Sequence, residues 1–108
     1  MKLPPYPQNS IIGERIHRLR RLILVHSILY YVLDSSIVSD FTFDSWSQEL
    51  VGLQNIHPEI SKRVPYMRKA FADFDGSTGA FLPLMDTQAY YLALRLLRLA
   101  ESHKIQRV

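Results

Sequence analysis

The chain contains no cysteine among its 108 residues. This excludes disulfide bonds and thiolate ligands, so stability has to come from a hydrophobic core. In a chain of this length such a core is modest, and we expect it to be built from a few long amphipathic elements. The lack of cysteine is consistent with a reducing compartment.

No apolar run is long enough to cross a membrane. The richest one, Leu22 to Leu33, is interrupted by His26 and Ser27, and it is far shorter than the roughly 20 apolar residues that a spanning helix needs. The first residues, Met1 to Pro7, lack the apolar segment of a signal peptide. We therefore predict a soluble, cytoplasmic protein with no membrane partner.

Patterns typical of metal binding and hydrolysis are also missing. The histidines show no metal-ligand spacing, so we expect no metal, and His26 is interpreted as a core residue. No serine has a recognisable base and acid partner, which argues against a hydrolase. The stretch Gly76-Ser77-Thr78-Gly79 lacks the lysine of a phosphate-binding P-loop. We interpret it as a surface turn, although a position beside Tyr30 and Asp40 would favour a phosphate-binding role.

The composition is that of an ordinary globular protein. Hydrophobic residues make up 47% and charged residues 21% of the chain, which predicts one domain over residues 1–108. The formal net charge is +3. Basic residues gather towards both ends, at Arg15, Arg18, Arg20, Arg21, Arg95, Arg98, Lys104 and Arg107. They usually form a solvated helix face, and an acidic partner or nucleic acid is the alternative.

Hydrophobic periodicity predicts two helices in the first half of the chain. Ser10 is placed to cap a helix that runs to about Leu33, with apolar residues recurring every three or four positions. Ser39 provides a cap for a second helix, from about Asp40 to Asn55. The predicted buried stripe of this helix is Phe43, Trp46, Leu50 and Leu53. The short connection between the two helices indicates an antiparallel pair.

The second half of the chain is less regular. We predict a single helical turn at Pro58 to Lys62, a short helix at Tyr66 to Phe71 and an extended segment at Ala80 to Leu84. Asp86 is placed to cap a last helix. Its predicted inward residues are Tyr90, Ala93, Leu94, Leu97 and Ala100, and its polar stripe is Arg95, Arg98 and Ser102. The sequence thus predicts an all-α fold: a single small helical domain with an antiparallel helix pair, a C-terminal helix and an irregular glycine-containing loop between them.

Aromatic and acidic residues meet where the first two helices are expected to join. Tyr30 and Tyr31 lie near the end of the first helix, and Asp40 and Asp44 are one turn apart on the second. Aromatic faces stack on planar or cationic rings, and carboxylates accept hydrogen bonds from ribose hydroxyls or an amide group. Pyridinium nucleotides have all of these features. Purely structural roles are the alternative, in which the aspartates cap and solubilise the helix and Tyr30 packs on Trp46.

A longer set of residues around this point resembles a known family. The residues are Leu29-Tyr30-Tyr31-Val32-Leu33-Asp34, Val38-Ser39-Asp40, Phe43-Asp44, Glu49-Leu50, Leu53 and His57-Pro58-Glu59. Their types and spacing are similar to those of the N-terminal Ia domain of bacterial NAD-dependent DNA ligases. The resemblance covers about residues 10–60, and residues 61–108 form a tail that does not share it.

In those ligases the Ia domain is a helical module that grips the nicotinamide mononucleotide (NMN) half of NAD and supplies none of the covalent chemistry. The resemblance therefore implies cofactor-binding roles for Tyr30, Tyr31, Asp40, Phe43 and Asp44. Phe43 stands where the family has tyrosine, so one hydroxyl contact to the ligand is lost. The cofactor implied is NAD or NMN.

The resemblance does not extend to the catalytic part of a ligase. That part needs a lysine nucleophile in a Lys-x-Asp-Gly motif, and Asp73-Phe74-Asp75-Gly76 has aspartate in the lysine position. We therefore expect no enzyme activity from this chain on its own, although it would suit an accessory part of a split ligase. The part after Ile60 resembles the tail of small stand-alone ligase-related proteins found chiefly in bacteriophages and prophages, which indicates a complete small protein.

Three hypotheses on function follow. The leading one is a non-catalytic Ia-like module that binds the NMN part of NAD or a related nucleotide. The second is a protein-interaction factor, of phage origin, that docks on host DNA ligase or another NAD-using protein. The third is DNA binding through the basic residues between Arg15 and Arg21, which would depend steeply on salt.

Overall fold

The computed structural model describes residues 10–106, and their side chains as far as His103. Within this range the chain forms no strand and four helices, which are α1 (Ile11–Tyr31), α2 (Asp40–Ile56), α3 (Pro58–Arg63) and α4 (Thr87–Gln106). The predicted all-α fold is confirmed. The proline-rich lead-in, the side chain of Lys104 and Arg107 lie outside the described residues. No helix in the described range is long and apolar enough to span a bilayer.

Side-chain caps fix the start of each long helix, at the residues that the sequence indicated. The Oγ atoms of Ser10 and Ser39 accept hydrogen bonds from backbone N–H groups three residues later, at 2.9 and 3.1 Å. Asp86 Oδ2 does the same for α4 at 3.0 Å. Each bond pairs an N–H that the first helical turn would otherwise leave without a partner.

The central element is α1, which packs against all three other helices, while no Cα atoms of α2 and α4 come within 8 Å of each other in the described residues. Seven consecutive residues of α1, Ile23 to Leu29, are buried, as expected for a helix covered on more than one side. His26 of α1 lies beside Trp46 of α2, and Arg20, farther from the end of α1, contacts Gln54 near the end of α2. The two helices therefore run in opposite directions.

The predicted stripes on α2 and α4 face this central helix. Leu50 is fully buried, and the three other stripe residues of α2 pack against the core in partly buried positions. On α4, Ala93 is fully buried and Tyr90 and Leu97 pack against the core, but Leu94 and Ala100 are only partly buried and do not belong to it. Ala89, which was not predicted, is buried instead. The polar stripe of α4 is exposed, as predicted.

Arg20 is buried to 1% exposure and holds the region after α2 in place. Its guanidinium donates five hydrogen bonds, to Gln54 Oε1, the Val64 and Tyr66 carbonyl oxygens, and the carbonyl and hydroxyl oxygens of Ser61, at 2.9–3.1 Å. Burial, with a smaller contribution from Arg68, lowers its pKa to about 10, so it stays charged at neutral pH. A buried charge is tolerated here because every N–H of the guanidinium has an acceptor.

The basic residues at the start of the chain are therefore less available than the sequence indicated. Besides Arg20, Arg15 is engaged in a bidentate ion pair with Glu49, with N–O distances of 2.6 and 2.7 Å. This contact raises the pKa of Arg15 and lowers that of Glu49. Two of the four arginines between residues 15 and 21 thus have internal partners.

Two predictions for the second half of the chain were wrong. Residues 66–73 form successive turns instead of a short helix, because Met67 has a φ of +51° and the Tyr66 carbonyl points to Arg20. Residues 80–84 also turn where an extended segment was predicted, with Leu82 N–H bonded to the Gly79 carbonyl at 3.2 Å. Burial of Leu82 pulls this segment against the core.

The first helix also ends two residues earlier than predicted. Asp34 takes the left-handed conformation, with a φ of +49°, and Ser35 N–H bonds back to the Leu29 carbonyl at 2.8 Å. This is the usual way in which a helix end is closed. It leaves Tyr30 and Tyr31 at the end of α1, facing the start of α2.

Candidate functional site

The end of α1 and the start of α2 enclose a cavity of about 170 Å³. All five residues predicted to bind a cofactor line it, together with residues that were not predicted. The lining residues are His26, Ser27, Tyr30, Tyr31, Ser36, Ile37, Val38, Asp40, Phe43, Asp44, Ser77 and Thr78. Sites for drug-sized ligands usually measure about 300–1,000 Å³. This cavity therefore suits one flat ring, with any larger part of a ligand outside it.

The two tyrosines form one side of the cavity mouth. Their ring centroids are 4.8 Å apart and their planes meet at 84°, an edge-to-face arrangement. Tyr30 is 57% and Tyr31 45% exposed, so both rings have surface free for a ligand. The ring partner of Tyr30 among the described residues is Tyr31, and that of Trp46 is His26.

The two aspartates face the tyrosines from the first turns of α2. Ser39 supplies the side-chain cap of this helix, and the described residues contain no ion pair or side-chain hydrogen bond to Asp40 or Asp44. Both carboxylates are exposed. They are therefore available to accept hydrogen bonds from a ligand, while Phe43 between them packs its ring against the core.

His26 and Ser27 belong to the buried part of α1 beneath the cavity. His26 is 8% exposed, and its ring centroid lies 5.1 Å from that of Trp46. Burial lowers its pKa, so the imidazole is neutral at pH 7. Ser27 is fully buried, and its Oγ has no hydrogen-bond partner among the described residues.

The third side of the cavity comes from a distant part of the sequence, the loop of residues 75–79. Its Thr78 Oγ1 shares a 2.8 Å hydrogen bond with the Tyr31 hydroxyl. The backbone N–H and the hydroxyl of Ser77 both donate to Asp75 Oδ1, at 2.9 and 2.6 Å, which lowers the pKa of Asp75. The loop does line the same cavity as Tyr30 and Asp40, but the N–H and hydroxyl of Ser77 donate to the carboxylate of Asp75 in the loop itself.

The cavity has a negative electrostatic character. Among the described residues, its lining includes two aspartates and no lysine or arginine, and burial keeps its histidine neutral by lowering the pKa of His26. Such a lining attracts a cationic ring and opposes an anionic group. Aromatic faces add a cation–π attraction for a ring that enters between them. Within the described residues there is no cluster of His, Asp and Glu that could hold a metal ion.

Sequence reasoning missed several lining residues. Ser77 and Thr78 are more than 30 positions from Asp44 in the chain, and no local pattern indicates that their loop returns to α1. His26 was correctly placed in the core, but its second role at the base of the cavity was not foreseen. Ser36 and Val38 line the cavity because they belong to the connection between α1 and α2, which the sequence did indicate.

Comparison with known proteins places the chain in a family. The model of the DNA ligase-like, N-terminal NAD⁺-binding domain matches residues 9–64, about half of the chain. The chain therefore belongs to this family. All five predicted cofactor-binding residues fall within the matched segment, whereas Ser77 and Thr78 fall outside it.

Curated relatives match over the same part of the chain. DNA ligase from Chloroflexus aurantiacus is 42% identical over 52 residues, or 48% of this chain. Those from Flavobacterium johnsoniae and Coprothermobacter proteolyticus are 46% identical over 49 residues (45% of the chain) and 50% identical over 47 residues (44%). In each case the match spans 7% of the relative's own length. No solved structure matches significantly.

Proposed function

We propose that this chain is a non-catalytic module that binds the NMN part of NAD through the cavity between α1 and α2. The observation that carries the proposal is the convergence of Tyr30, Tyr31, Asp40, Phe43 and Asp44 on one negatively charged cavity. These residues come from two helices, and membership of the NAD⁺-binding family supplies the class of ligand.

In the proposed complex the pyridinium ring enters the cavity between the tyrosines and Phe43. The positive ring charge is offset by Asp40 and Asp44, whose carboxylates have no hydrogen-bond or ion-pair partner among the described residues. They also accept hydrogen bonds from the carboxamide or the ribose hydroxyls. The cavity volume of about 170 Å³ supports this arrangement, because it suits a single ring while the ribose and phosphate lie outside.

The non-catalytic part of the proposal rests on the sequence. The residues Asp73-Phe74-Asp75-Gly76 have aspartate where a ligase nucleophile has lysine. In the structure Asp75 accepts hydrogen bonds from Ser77, so its carboxylate stabilises the turn of its own loop. The matched ligases are much longer than this chain, and their joining of DNA is not carried over to it.

Isothermal titration calorimetry of the full chain with NMN and NAD tests the proposal. We expect saturable heat with both ligands, and weaker binding for Asp40→Asn and Tyr30→Ala. Matched controls are Asp73→Asn and Tyr91→Ala, since both residues are exposed and lie outside the cavity lining. Absence of heat at millimolar ligand, or equal losses in the site and control variants, would contradict the proposal.

The two other hypotheses receive less support from the structure. The DNA-binding hypothesis relies on four arginines between residues 15 and 21. Two of them are not available to DNA, because Arg15 pairs with Glu49 and Arg20 is buried. The docking hypothesis rests on the missing catalytic part of a ligase and on exposed basic residues, of which Arg95 and Arg98 on α4 are exposed in the structure. An affinity measurement with purified host DNA ligase tests it directly, and phage origin stays a prediction from the resemblance.

A further inference from the structure

The cavity has a wall that the family-matched segment does not provide. Ser77 and Thr78 line it, and both lie beyond residue 64, where the family match ends. The loop of residues 75–79 therefore returns to α1 from the other half of the chain. Its contacts show how it is held there.

Two contacts fix the loop against α1. At one, Gly79 packs on Ser27 so closely that a β-carbon would overlap the serine side chain. At the other, Thr78 Oγ1 is 2.8 Å from the Tyr31 hydroxyl. Because Thr78 Oγ1 also accepts from the Ala80 N–H at 3.1 Å, its own proton is free to be donated to Tyr31.

The bond between Thr78 and Tyr31 acts on a residue of the proposed site. Tyr31 is the last residue of α1 and is 45% exposed. A half-exposed tyrosine that lacked this bond would sample several rotamers, and ordering it on ligand binding would cost conformational entropy. With the bond in place, the ring is held at the mouth before the ligand arrives.

We propose that the loop of residues 75–79 is a built-in third wall of the nucleotide site, in which Thr78 is a positioning residue that holds Tyr31. This rests on the proposed binding of a nicotinamide nucleotide. Thr78 acts through Tyr31, so its contribution should disappear when Tyr31 has no hydroxyl. That dependence separates the proposal from a loop that only stabilises the fold.

A double-mutant cycle on the full chain, with NMN affinity measured by calorimetry, tests the proposal. Thr78→Val removes the hydroxyl and keeps the shape, and we expect it to weaken NMN binding about threefold to tenfold, the usual effect of one hydrogen bond. Thr78→Ser keeps the hydroxyl and should bind like the wild type. In a Tyr31→Phe background, Thr78→Val should have no further effect. Thr87→Val, at an exposed threonine outside the cavity lining, is the control.

Thermal unfolding of each variant is recorded alongside the affinities. The proposal is overturned if Thr78→Val binds NMN like the wild type, whether or not its Tm falls. It is also overturned if the losses from Thr78→Val and Tyr31→Phe multiply. Either result, obtained with a wild-type chain that binds NMN, leaves the proposed function intact. If the wild-type chain does not bind NMN, both the proposed function and the positioning role of Thr78 are contradicted.

Discussion

Gly79 lies against Ser27 at a distance that only glycine permits. A β-carbon at residue 79 would overlap Ser27 Oγ and would stand 2.9 Å from Ser27 Cβ. Ser27 is fully buried in α1, and its hydroxyl has no hydrogen-bond partner among the described residues. This contact packs the loop of residues 75–79 against α1, and it connects the segment after residue 64 with the family-matched part of the chain.

Replacing this glycine should therefore destabilise the protein. We expect Gly79→Ala to lower the free energy of unfolding by about 1–3 kcal/mol, as overpacking in a close contact does. Gly52→Ala is the control, because a β-carbon on Gly52 meets nothing within 4 Å. In the interior of α2 it should stabilise by about 0.5–1 kcal/mol, since alanine favours a helix over glycine. Urea unfolding followed by circular dichroism measures both.

The same contact can be tested from the side of α1. Adding Ser27→Ala to Gly79→Ala should restore part of the lost stability, because the overlapping Oγ is removed while Cβ stays close. If the two substitutions are simply additive, Gly79 and Ser27 are not in the contact described.

A feature of this fold can be predicted from the sequence when the contacts that cause it are local in the chain. The caps at Ser10, Ser39 and Asp86 were predicted correctly because each bonds to an N–H three residues later. The turns after Val64 were not, because their carbonyls bond to Arg20, more than 40 residues earlier. A buried arginine also gives no local signal, since its spacing on α1 equally suits an exposed face.

The candidate site divides in the same way. Tyr30, Tyr31, Asp40, Phe43 and Asp44 were predicted because they match one motif within a short stretch. The wall formed by the loop of residues 75–79 was not predicted, because it depends on a close approach of Gly79 to the side chain of Ser27 on α1. A glycine beside small hydroxyl residues favours a turn, but it does not indicate which surface the turn will meet.

Arg20 should be poorly replaced by lysine. Lysine has three donors on one atom and cannot reproduce a planar fork that serves five acceptors. We expect Arg20→Lys to lower the free energy of unfolding by roughly 1.5–3 kcal/mol, because buried carbonyls lose charge-assisted hydrogen bonds. Arg18→Lys, on the exposed side of α1, should change it by less than about 0.5 kcal/mol. Urea unfolding midpoints compare the two.

Measuring NMN affinity as well shows whether Arg20 acts only on the stability of the fold or also on the binding site. Arg20 does not line the cavity, so the folded Arg20→Lys protein should bind NMN as the wild type does. A large loss of affinity without a loss of stability would contradict the structural role assigned to Arg20.

His26 should make stability depend on mildly acidic pH. Burial lowers its pKa below the ordinary value of 6.5, so between these two values the unfolded chain binds more protons than the folded one. The free energy of unfolding should therefore fall as the pH drops from about 6.5 towards the folded-state pKa of His26. His17, whose pKa is lowered by burial and by Arg21 and Arg20, contributes with the same sign.

Unfolding measured at several pH values between neutrality and pH 5 tests this dependence. His26→Gln should flatten the curve by the part that His26 contributes, and His103→Gln, at an exposed position, should leave it unchanged. A wild-type curve that is flat over this interval would contradict the prediction.

The negative cavity should distinguish between ligands that differ in charge. Nicotinic acid mononucleotide carries a carboxylate where NMN has a carboxamide, and this charge would approach Asp40 and Asp44. Two unit charges about 4 Å apart repel by about 1 kcal/mol even in water, so NMN should bind at least about fivefold more tightly. Asp44→Asn should reduce the difference in affinity between the two nucleotides, and Asp73→Asn should leave this difference unchanged. Equal affinities for the two nucleotides would show that the ring does not lie near these carboxylates.

Phe43 gives the most direct test of how the ring is held, because it stands where the family resemblance expects tyrosine. Its ring lines the cavity and packs against the core. Phe43→Tyr adds a hydroxyl without changing the ring, and we expect NMN to bind about threefold to tenfold more tightly, as one added hydrogen bond allows. The control is Phe41→Tyr, because Phe41 is 81% exposed on the same helix and does not line the cavity. Calorimetry with NMN compares the two variants. If Phe43→Tyr binds no better than the wild type while Asp40→Asn binds more weakly, the ring is held by charge and stacking alone, and the hydroxyl of the family motif has no counterpart in this chain.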